Sequence, residues 1–410
     1  MKTYALVTLG CRTNQYETES YRAQLDGLGY RAAGKGEVAD VCVVNTCTVT
    51  STADRDSRRQ IRRMAREHPG AQVVVTGCAV DAEPGFFDEV EGVTHVVRNR
   101  EKEQLMEKLF PDAESLPEFK IERFEAHTRA FVKVQDGCNS FCSYCIIPYV
   151  RGRSRCRPID DVVREVEGLV ANGYKEIVLT GINIGDYVGG LAPLVRRVDQ
   201  VEGLERIRIS SIDPDEVDDA LLDAVVNGKK TCHSMHIVLQ AGSNVTLKRM
   251  NRKYTRQEFY RTVERLRAAS PDFTFTTDVI VGFPGESDLD FQETLAVMDE
   301  VQFAKVHMFP YSDRKRTKAN LFPDKVAPEV IAERKSEVLR RAEAGALALR
   351  QRFVGRKMEV LVEREGSGHT DNFLEVVVDG GRPNEIVEVE LTENRPTGLV
   401  GRCELQSLSA

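Results

Sequence analysis

Apolar residues in the first ~120 positions come in short unbroken runs, each ending at a cysteine. Tyr4–Leu9 leads into Gly10–Cys11, Val41–Asn45 into Thr46–Cys47, and Gln72–Thr76 into Gly77–Cys78. Between these runs, Glu17–Leu28 and Ser57–Arg66 have helical periodicity. A run such as VVVTG, apolar without alternation, fits a strand buried on both faces. Strands alternating with helices predict a parallel sheet with helices packed on it.

Glu114–His127 is charged and weakly patterned, and reads as a linker. The alternation resumes after it. Ala130–Val134, Glu176–Thr180, Arg206–Ser210, Met235–Leu239, Phe275–Val281 and Ala304–Phe309 read as six strands, with helices such as Asp160–Asn172 and Thr255–Ala269 between them. That succession predicts a partial (β/α) barrel. Glu329–Arg352 is a long helix led by Pro328, a favourable first-turn residue. Beyond it the period shortens. Lys357–Arg364, Phe373–Val378, Ile386–Leu391 and Leu399–Glu404 are β runs separated by Gly, Asn and Pro, which predicts a small all-β barrel.

With 410 residues, 41% hydrophobic and 30% charged, the chain has the composition of a globular protein of two or three domains. Its apolar runs are too short to span a bilayer. The opening MKTYALVTLGCRTNQYETES has no h-region with a small-residue cleavage site, so a cytoplasmic location is expected. There, ten cysteines are better read as metal ligands, catalytic groups or small core residues than as disulfides.

Three of them, Cys138, Cys142 and Cys145, lie in KVQDGCNSFCSYCIIP with C-x3-C-x2-C spacing, just past the first barrel strand. A zinc loop would need a fourth Cys or His nearby, and the next candidate, Cys156, is eleven residues away. Three thiolates on one loop hold three corners of a 4Fe–4S cluster and leave one iron open. That iron can take the amino and carboxylate groups of S-adenosylmethionine, whose reductive cleavage yields a 5′-deoxyadenosyl radical. The loop falls at the C-terminal end of a barrel strand, where barrel active sites form. Tyr144 suits packing on the adenine ring.

Cys11, Cys47 and Cys78 follow three separate strands in the contexts TLGC, VNTC and VTGC. The C-terminal ends of parallel strands gather along one sheet edge, where ligands bind. These three thiolates could hold a second cluster. Cys42, inside a strand, reads as core.

Together the two triads resemble the radical methylthiotransferases over essentially the whole chain. VNTCTVT, AFVKVQDGCNSFCSYCIIPYVRGR and TTDVIVGFPGE are most similar to the branch acting on threonylcarbamoyladenosine in tRNA. The resemblance implies an α/β chain with a flavodoxin-like N-terminal domain (1–115), a partial (β/α) radical barrel (125–345) and a small all-β TRAM domain (346–410). It implies methylthiolation of carbon 2 of the adenosine 3′ of the anticodon, consuming two S-adenosylmethionine molecules. By the same resemblance Cys138, Cys142 and Cys145 hold the radical cluster, while Cys11, Cys47 and Cys78 hold an auxiliary cluster that delivers sulfur. Tyr144, Gly181, Asn183, Ser211 and Gln240 are expected to face S-adenosylmethionine. The expected partners are tRNA and a flavodoxin- or ferredoxin-type electron donor, with no membrane and a monomeric chain. Departures from the family pattern fall within Val238–Ser243, where the family usually reads PLQSGS, at Arg316–Thr317 and at Cys156, none of them in the triads.

Gly181–Gly185, Ser210–Pro214 and Gly282–Glu286 follow strands, and either approach the cofactor or serve as ordinary turns. Arg58, Arg59, Arg62, Arg63 and Arg66 form a basic helical segment suited to phosphate contact or to a solvated face. Arg151, Arg153, Arg155 and Arg157, just past the radical loop, favour an anionic substrate. Two features oppose a nucleic acid. The net charge is −7, and from Ala346 onward eight Lys/Arg face eleven Asp/Glu, a net −3. Two alternatives therefore remain: the same chemistry on an aspartate of a basic ribosomal protein, and a non-catalytic iron–sulfur RNA-binding or redox-sensing protein.

Overall fold

The computed structural model describes residues 1–124 and 127–403. Its first sheet contains β1 (Thr3–Thr8), β2 (Arg31–Ala32), β3 (Val41–Thr46), β4 (Gln72–Gly77) and β5 (His95–Val97), all parallel, in the order β2-β1-β3-β4-β5. That is the flavodoxin-like order. Every residue of β3 is buried, because its side chains alternate between two packed faces. Val41 and Val43 meet Tyr21, Leu25 and Leu105 on one side, while Cys42 and Val44 meet Ile61 and Met64 on the other. Cys42 is thus core, as its place inside a strand implies. The helix expected from Ser57 starts earlier, at Ser51, because the Thr50 side chain caps the Ala53 amide.

The second unit begins with β6 (Arg129–Lys133). A short antiparallel ribbon follows, β7 (Gln135–Asp136) with β8 (Arg155–Cys156). Then come β9 (Glu176–Thr180), β10 (Arg206–Ile209), β11 (Ser234–His236), β12 (Thr274–Val281) and β13 (Lys305–Pro310). They form two parallel three-stranded sheets, β10-β9-β6 and β11-β12-β13, joined by the bridges Ile207–Thr231 and Ile212–Ile237. The result is an open barrel with β6 and β13 as its edges. β11 is shorter than the expected Met235–Leu239, since beyond His236 the pairing continues only as isolated bridges.

The third unit is a closed barrel of β14 (Lys357–Arg364), β15 (Ser367–Thr370), β16 (Glu375–Val378), β17 (Ile386–Arg395) and β18 (Gly398–Cys403), in the order β14-β15-β16-β18-β17. The sequence reading missed β15, whose SGHT has no apolar alternation, and Glu404 lies outside the described residues. Leu349 and Phe353, at the end of the helix Pro328–Gln351 and just beyond it, enter this barrel's core.

This module docks on the N-terminal ends of the large barrel's strands. Arg206 donates to the carbonyls of Glu359 (3.1 Å) and His369 (3.2 Å), and Arg208 to those of Asp371 (2.8 Å) and Thr370 (3.2 Å). The Phe373 ring lies under the Arg208 guanidinium, 5.0 Å away. The acidic module is therefore at the opposite end of the barrel from the loop of three cysteines. This removes the argument that its charge opposes a nucleic acid at that mouth.

The segment 114–127 is not a loose linker where it is described. Ile121 and Phe124 are buried in the large barrel's core, and the Phe119 ring meets Tyr16 at 6.2 Å and Tyr21 at 5.5 Å. Its charged residues hide an apolar series, Leu116, Phe119, Ile121 and Phe124, that ties the first sheet to the barrel. Among the described residues no helix is long and apolar enough to cross a membrane.

Candidate functional site: two cysteine triads across a domain interface

The loop carrying Cys138, Cys142 and Cys145 is held from several sides. Ser143 donates from its amide to the Met250 carbonyl (2.9 Å) and from its hydroxyl to that of Arg249 (2.8 Å). Asn251 Nδ2 donates to the Phe141 carbonyl at 3.0 Å. Gln135, on the ribbon before the loop, donates to the Gly137 carbonyl (2.7 Å) and accepts the amides of Ile182 (3.0 Å) and Asn183 (2.9 Å). The expected residues Gly181 and Asn183 are thus pinned beside the loop. Two sulfurs receive hydrogen bonds, Cys138 Sγ from the Ser140 amide (3.3 Å) and Cys142 Sγ from Arg252 (3.0 Å). Arg252 also pairs with Asp213.

The donor set suits an iron–sulfur cluster: three thiols on one loop, with N–H groups aimed at two sulfurs. No three His, Cys, Asp or Glu among the described residues converge as ligands of a single ion do. Three corners of a cubane sit on three different irons and need no such convergence. The strand ends also suit a polar ligand. Ser210 Oγ and Gln240 Oε1 are buried there without hydrogen-bond partners. Gln240 takes a left-handed conformation (φ 60°) and pairs its amide with the Asp278 carbonyl. Ser211 is exposed and forms no side-chain hydrogen bond among the described residues; the buried hydroxyl is its neighbour's. Tyr144 is half-buried, edge-on to the Phe283 ring at 6.4 Å. Gly282–Glu286 turns out to be a clamp: Glu286 accepts the Gly282 amide (2.7 Å) and pairs with buried Arg334 of the long helix (2.6 Å).

Cys11, Cys47 and Cys78 follow β1, β3 and β4, which are neighbours in the sheet. Glycine is required before two of them. Gly10 (φ 96°) and Gly77 (φ 95°) turn the chain in a region closed to most side chains. A Cβ on Gly10 would lie 2.8 Å from Cys47 Sγ, and one on Gly77 2.6 Å from Asn45 Oδ1. Asn14 ties two strand ends together, donating to the carbonyls of Leu9 (2.7 Å) and Thr46 (3.0 Å) and accepting from Cys11 Sγ (3.6 Å). Burial, reinforced by Cys78, pushes the Cys47 thiol up to about 12. Burial also raises Cys78, against the pull of Arg151. Metal binding would have to displace these protons.

The segments that carry the two triads pack against each other. Cys78 shares an apolar cluster with Ile146, the residue after Cys145, and with Val150. Arg151 completes the junction. Its Nε donates to Cys78 Sγ (3.3 Å), and its Nη1 pairs with Glu17 (3.0 Å) and Asp136 (2.8 Å). Nη2 donates to Asn14. Lys102 joins both carboxylates, 2.6 Å from Glu17, and all these groups are buried.

This corrects the reading of the arginines past the loop. A helical turn, Ile147–Val150, with Pro148 in its first positions, packs on Cys78–Ala82 and sends Arg151 inward, out of reach of a substrate phosphate. Arg157 is likewise engaged, with Glu165 (2.5 Å) and Tyr16 (3.0 Å). Arg153, stacked 4.5 Å from the Phe141 ring, and Arg155 remain at the surface. In the basic helix, Arg58 pairs with Glu83 (2.6 Å) and Arg63 with Glu67 (3.0 Å), while Arg59, Arg62 and Arg66 are exposed. Asn14, Glu17, Gln135, Asp136 and Arg252 escaped the sequence reading. Only the nearness of Asn14 and Asp136 to cysteines signalled two of them.

Residues 132–298 match the Radical SAM superfamily and residues 3–98 the family described as Uncharacterized protein family UPF0004. The threonylcarbamoyladenosine tRNA methylthiotransferase MtaB of Chlamydia pneumoniae is 48% identical, covering 97% of both chains. The enzyme of the same name from Bacillus subtilis is 37% identical, over 95% of this chain and 94% of its own. A tRNA-2-methylthio-N(6)-dimethylallyladenosine synthase from Clostridium novyi is 32% identical, over 98% and 96%. In fold, the radical S-adenosylmethionine methyltransferase TsrM from Kitasatospora setae superposes with a TM-score of 0.58 at 15% identity, covering 76% of this chain and 75% of its own. The chain belongs to the radical S-adenosylmethionine methylthiotransferase family.

Proposed function

We propose that this protein attaches a methylthio group to carbon 2 of threonylcarbamoyladenosine, 3′ of the anticodon in tRNA. The juxtaposition of the two triads across the Arg151–Cys78 junction carries this reading. Transfer of sulfur to an unactivated carbon needs a radical source beside a sulfur source, and two thiol sets on packed segments supply places for both.

Cys138, Cys142 and Cys145 would hold one 4Fe–4S cluster, and Cys11, Cys47 and Cys78 a second. Bound there, the clusters and S-adenosylmethionine supply the radical, the sulfur and the methyl group. Tyr144, Gly181, Asn183, Ser211 and Gln240 would position S-adenosylmethionine. Arg252 and the Ser140 amide would stabilise anionic sulfur by hydrogen bonding, and Ile146 and Val150 pack on Cys78. The electron would come from a flavodoxin- or ferredoxin-type donor, and the chain would act as a monomer in the cytoplasm. Residues 1–115 would carry the sulfur-delivering site, 125–345 the radical site, and 346–410 a docking module.

Nucleoside mass spectrometry of tRNA from cells lacking the protein tests the reading. Threonylcarbamoyladenosine should accumulate where its methylthio derivative stood, with ribosomal proteins unchanged. Intact methylthio nucleoside, or loss of a methylthio group from a ribosomal protein, would overturn it.

A further inference from the structure

Arg12 follows Cys11 and opens the helix Arg12–Gly27, which packs along β6 at the open edge of the barrel. Its guanidinium lies 5.4 Å from the centre of the Phe131 ring on that strand. Among the described residues it forms no ion pair and no hydrogen bond, whereas Arg151, Arg157, Arg208 and Arg252 are all engaged. It is exposed at the open edge of the barrel, where its helix crosses β6.

β11, β12 and β13 form the other sheet of the same open barrel. His307 is the register partner of Asp278, and its ring lies 5.8 Å from that of His236. His236 Nε2 is buried without a hydrogen-bond partner, 3.4 Å from Asp278 Oδ1, while Nδ1 meets Thr276 Oγ1 at 2.9 Å. Arg12 and Asp278 both act electrostatically on His307, so all three share one space. An unengaged guanidinium, an aromatic face and a polar wall with an unused nitrogen make a recognition site, not a structural network.

We infer that Arg12 binds the free carboxylate of the threonyl group on the substrate base, with His236 and Asp278 on the opposite wall facing the threonyl hydroxyl. The inference rests on the substrate reading above. In threonylcarbamoyladenosine the carbamoyl joins N6 of adenine to the amino nitrogen of threonine, leaving a carboxylate and a hydroxyl at the far end. Carbon 2 and the carbon bearing N6 flank the same ring nitrogen. A base presenting carbon 2 to the Cys11 triad therefore carries its N6 substituent past the residue next to Cys11. A planar guanidinium matches a carboxylate bidentately. The same cation could instead meet a backbone phosphate, and the test separates these two anions.

The experiment measures anaerobic binding of anticodon stem–loops bearing either threonylcarbamoyladenosine or plain adenosine at the reacting position. The proteins are wild type, Arg12→Gln and Arg12→Lys, matched for iron content and thermal unfolding. Wild type should prefer the modified loop by roughly tenfold or more, the scale of one charge-assisted hydrogen-bonded pair. Arg12→Gln should bind both loops equally, with affinity for the plain loop unchanged, and Arg12→Lys should keep part of the preference. An undiminished preference in Arg12→Gln overturns the inference. Equal weakening of both loops overturns it in favour of a phosphate contact. A wild type that does not distinguish the loops overturns the substrate reading as well.

Discussion

Arg151 Nε donates to Cys78 Sγ at 3.3 Å, joining the chain just past one cysteine triad to the last cysteine of the other. The cation is buried with two carboxylates, Glu17 and Asp136, and two further cations, Lys102 and Lys133. Glu103 on Lys133 (3.1 Å) and Arg155 on Asp136 (3.4 Å) extend the network to four cations and three carboxylates, and the sulfur lies beside Arg151.

Arg151→Met should therefore lower stability and second-site iron together. Methionine keeps much of the volume but takes the cation from Glu17 and Asp136 and leaves Cys78 Sγ without its donor. Loss of one member of a buried ion cluster costs on the order of 3 kcal/mol. Thermal unfolding and iron analysis check this; a variant that melts with wild type and loads the same iron would show the junction to be incidental.

Two independent triads predict about eight irons per reconstituted chain, and about four when either triad is changed to alanine. Changing Cys138, Cys142 and Cys145 should abolish reductive cleavage of S-adenosylmethionine. Changing Cys11, Cys47 and Cys78 should preserve cleavage and stop sulfur insertion, because the radical loop is held by Gln135, Ser143 and Arg252 and not by the first sheet's cysteines. If wild type itself saturates near four irons, the second site is not a cluster site.

Gly10→Ala tests the second site without touching a ligand. The added Cβ would press on Cys47 Sγ at 2.8 Å, and its φ of 96° adds a backbone cost of about 1–2 kcal/mol. Iron should fall toward about four per chain while S-adenosylmethionine cleavage persists. Full iron in this variant would place Cys47 outside the site.

Glu216 gives a pH signature. It accepts from Asn183 (3.0 Å), and burial, then Asp213, raises its carboxyl from 4.5 to about 7. The folded protein thus holds this proton to higher pH than the unfolded chain does. The group has no effect below about 4.5, and stability falls as pH rises from there to about 7, by at most on the order of 3 kcal/mol. Glu216→Gln should raise the melting temperature at pH 8 and leave it unchanged at pH 4. Identical pH dependence in the two proteins would mean that Glu216 titrates normally.

Much of this protein is legible in one dimension. Uninterrupted apolar runs identify β1, β3 and β4 because strands buried on both faces have no polar positions to spend. The C-x3-C-x2-C loop is self-contained, since its three thiols need only one short turn to meet. Even the convergence of Cys11, Cys47 and Cys78 follows from parallel strands that end in cysteine. Long-range packing was less legible: 114–127 reads as a linker, but the burial of its apolar residues did not show because they keep no period, and β15 was missed for want of apolar alternation.

The direction of each charged side chain was settled only in three dimensions. Arg151, Arg153, Arg155 and Arg157 alternate in sequence and look alike, yet Arg151 and Arg157 turn in to buried carboxylates on other elements, Arg155 reaches Asp136 from the surface (3.4 Å), and Arg153 stays outside. Glu17 and Asp136, which decide this, lie 134 and 15 residues from Arg151. The docking of the acidic module on the far end of the barrel was equally hidden, because arginines of β10 select it through backbone carbonyls that carry no sequence signal. Local pattern determined which elements form and which cysteines gather. The burial of charge depends on partners distant in the chain, and only the tertiary structure could decide it.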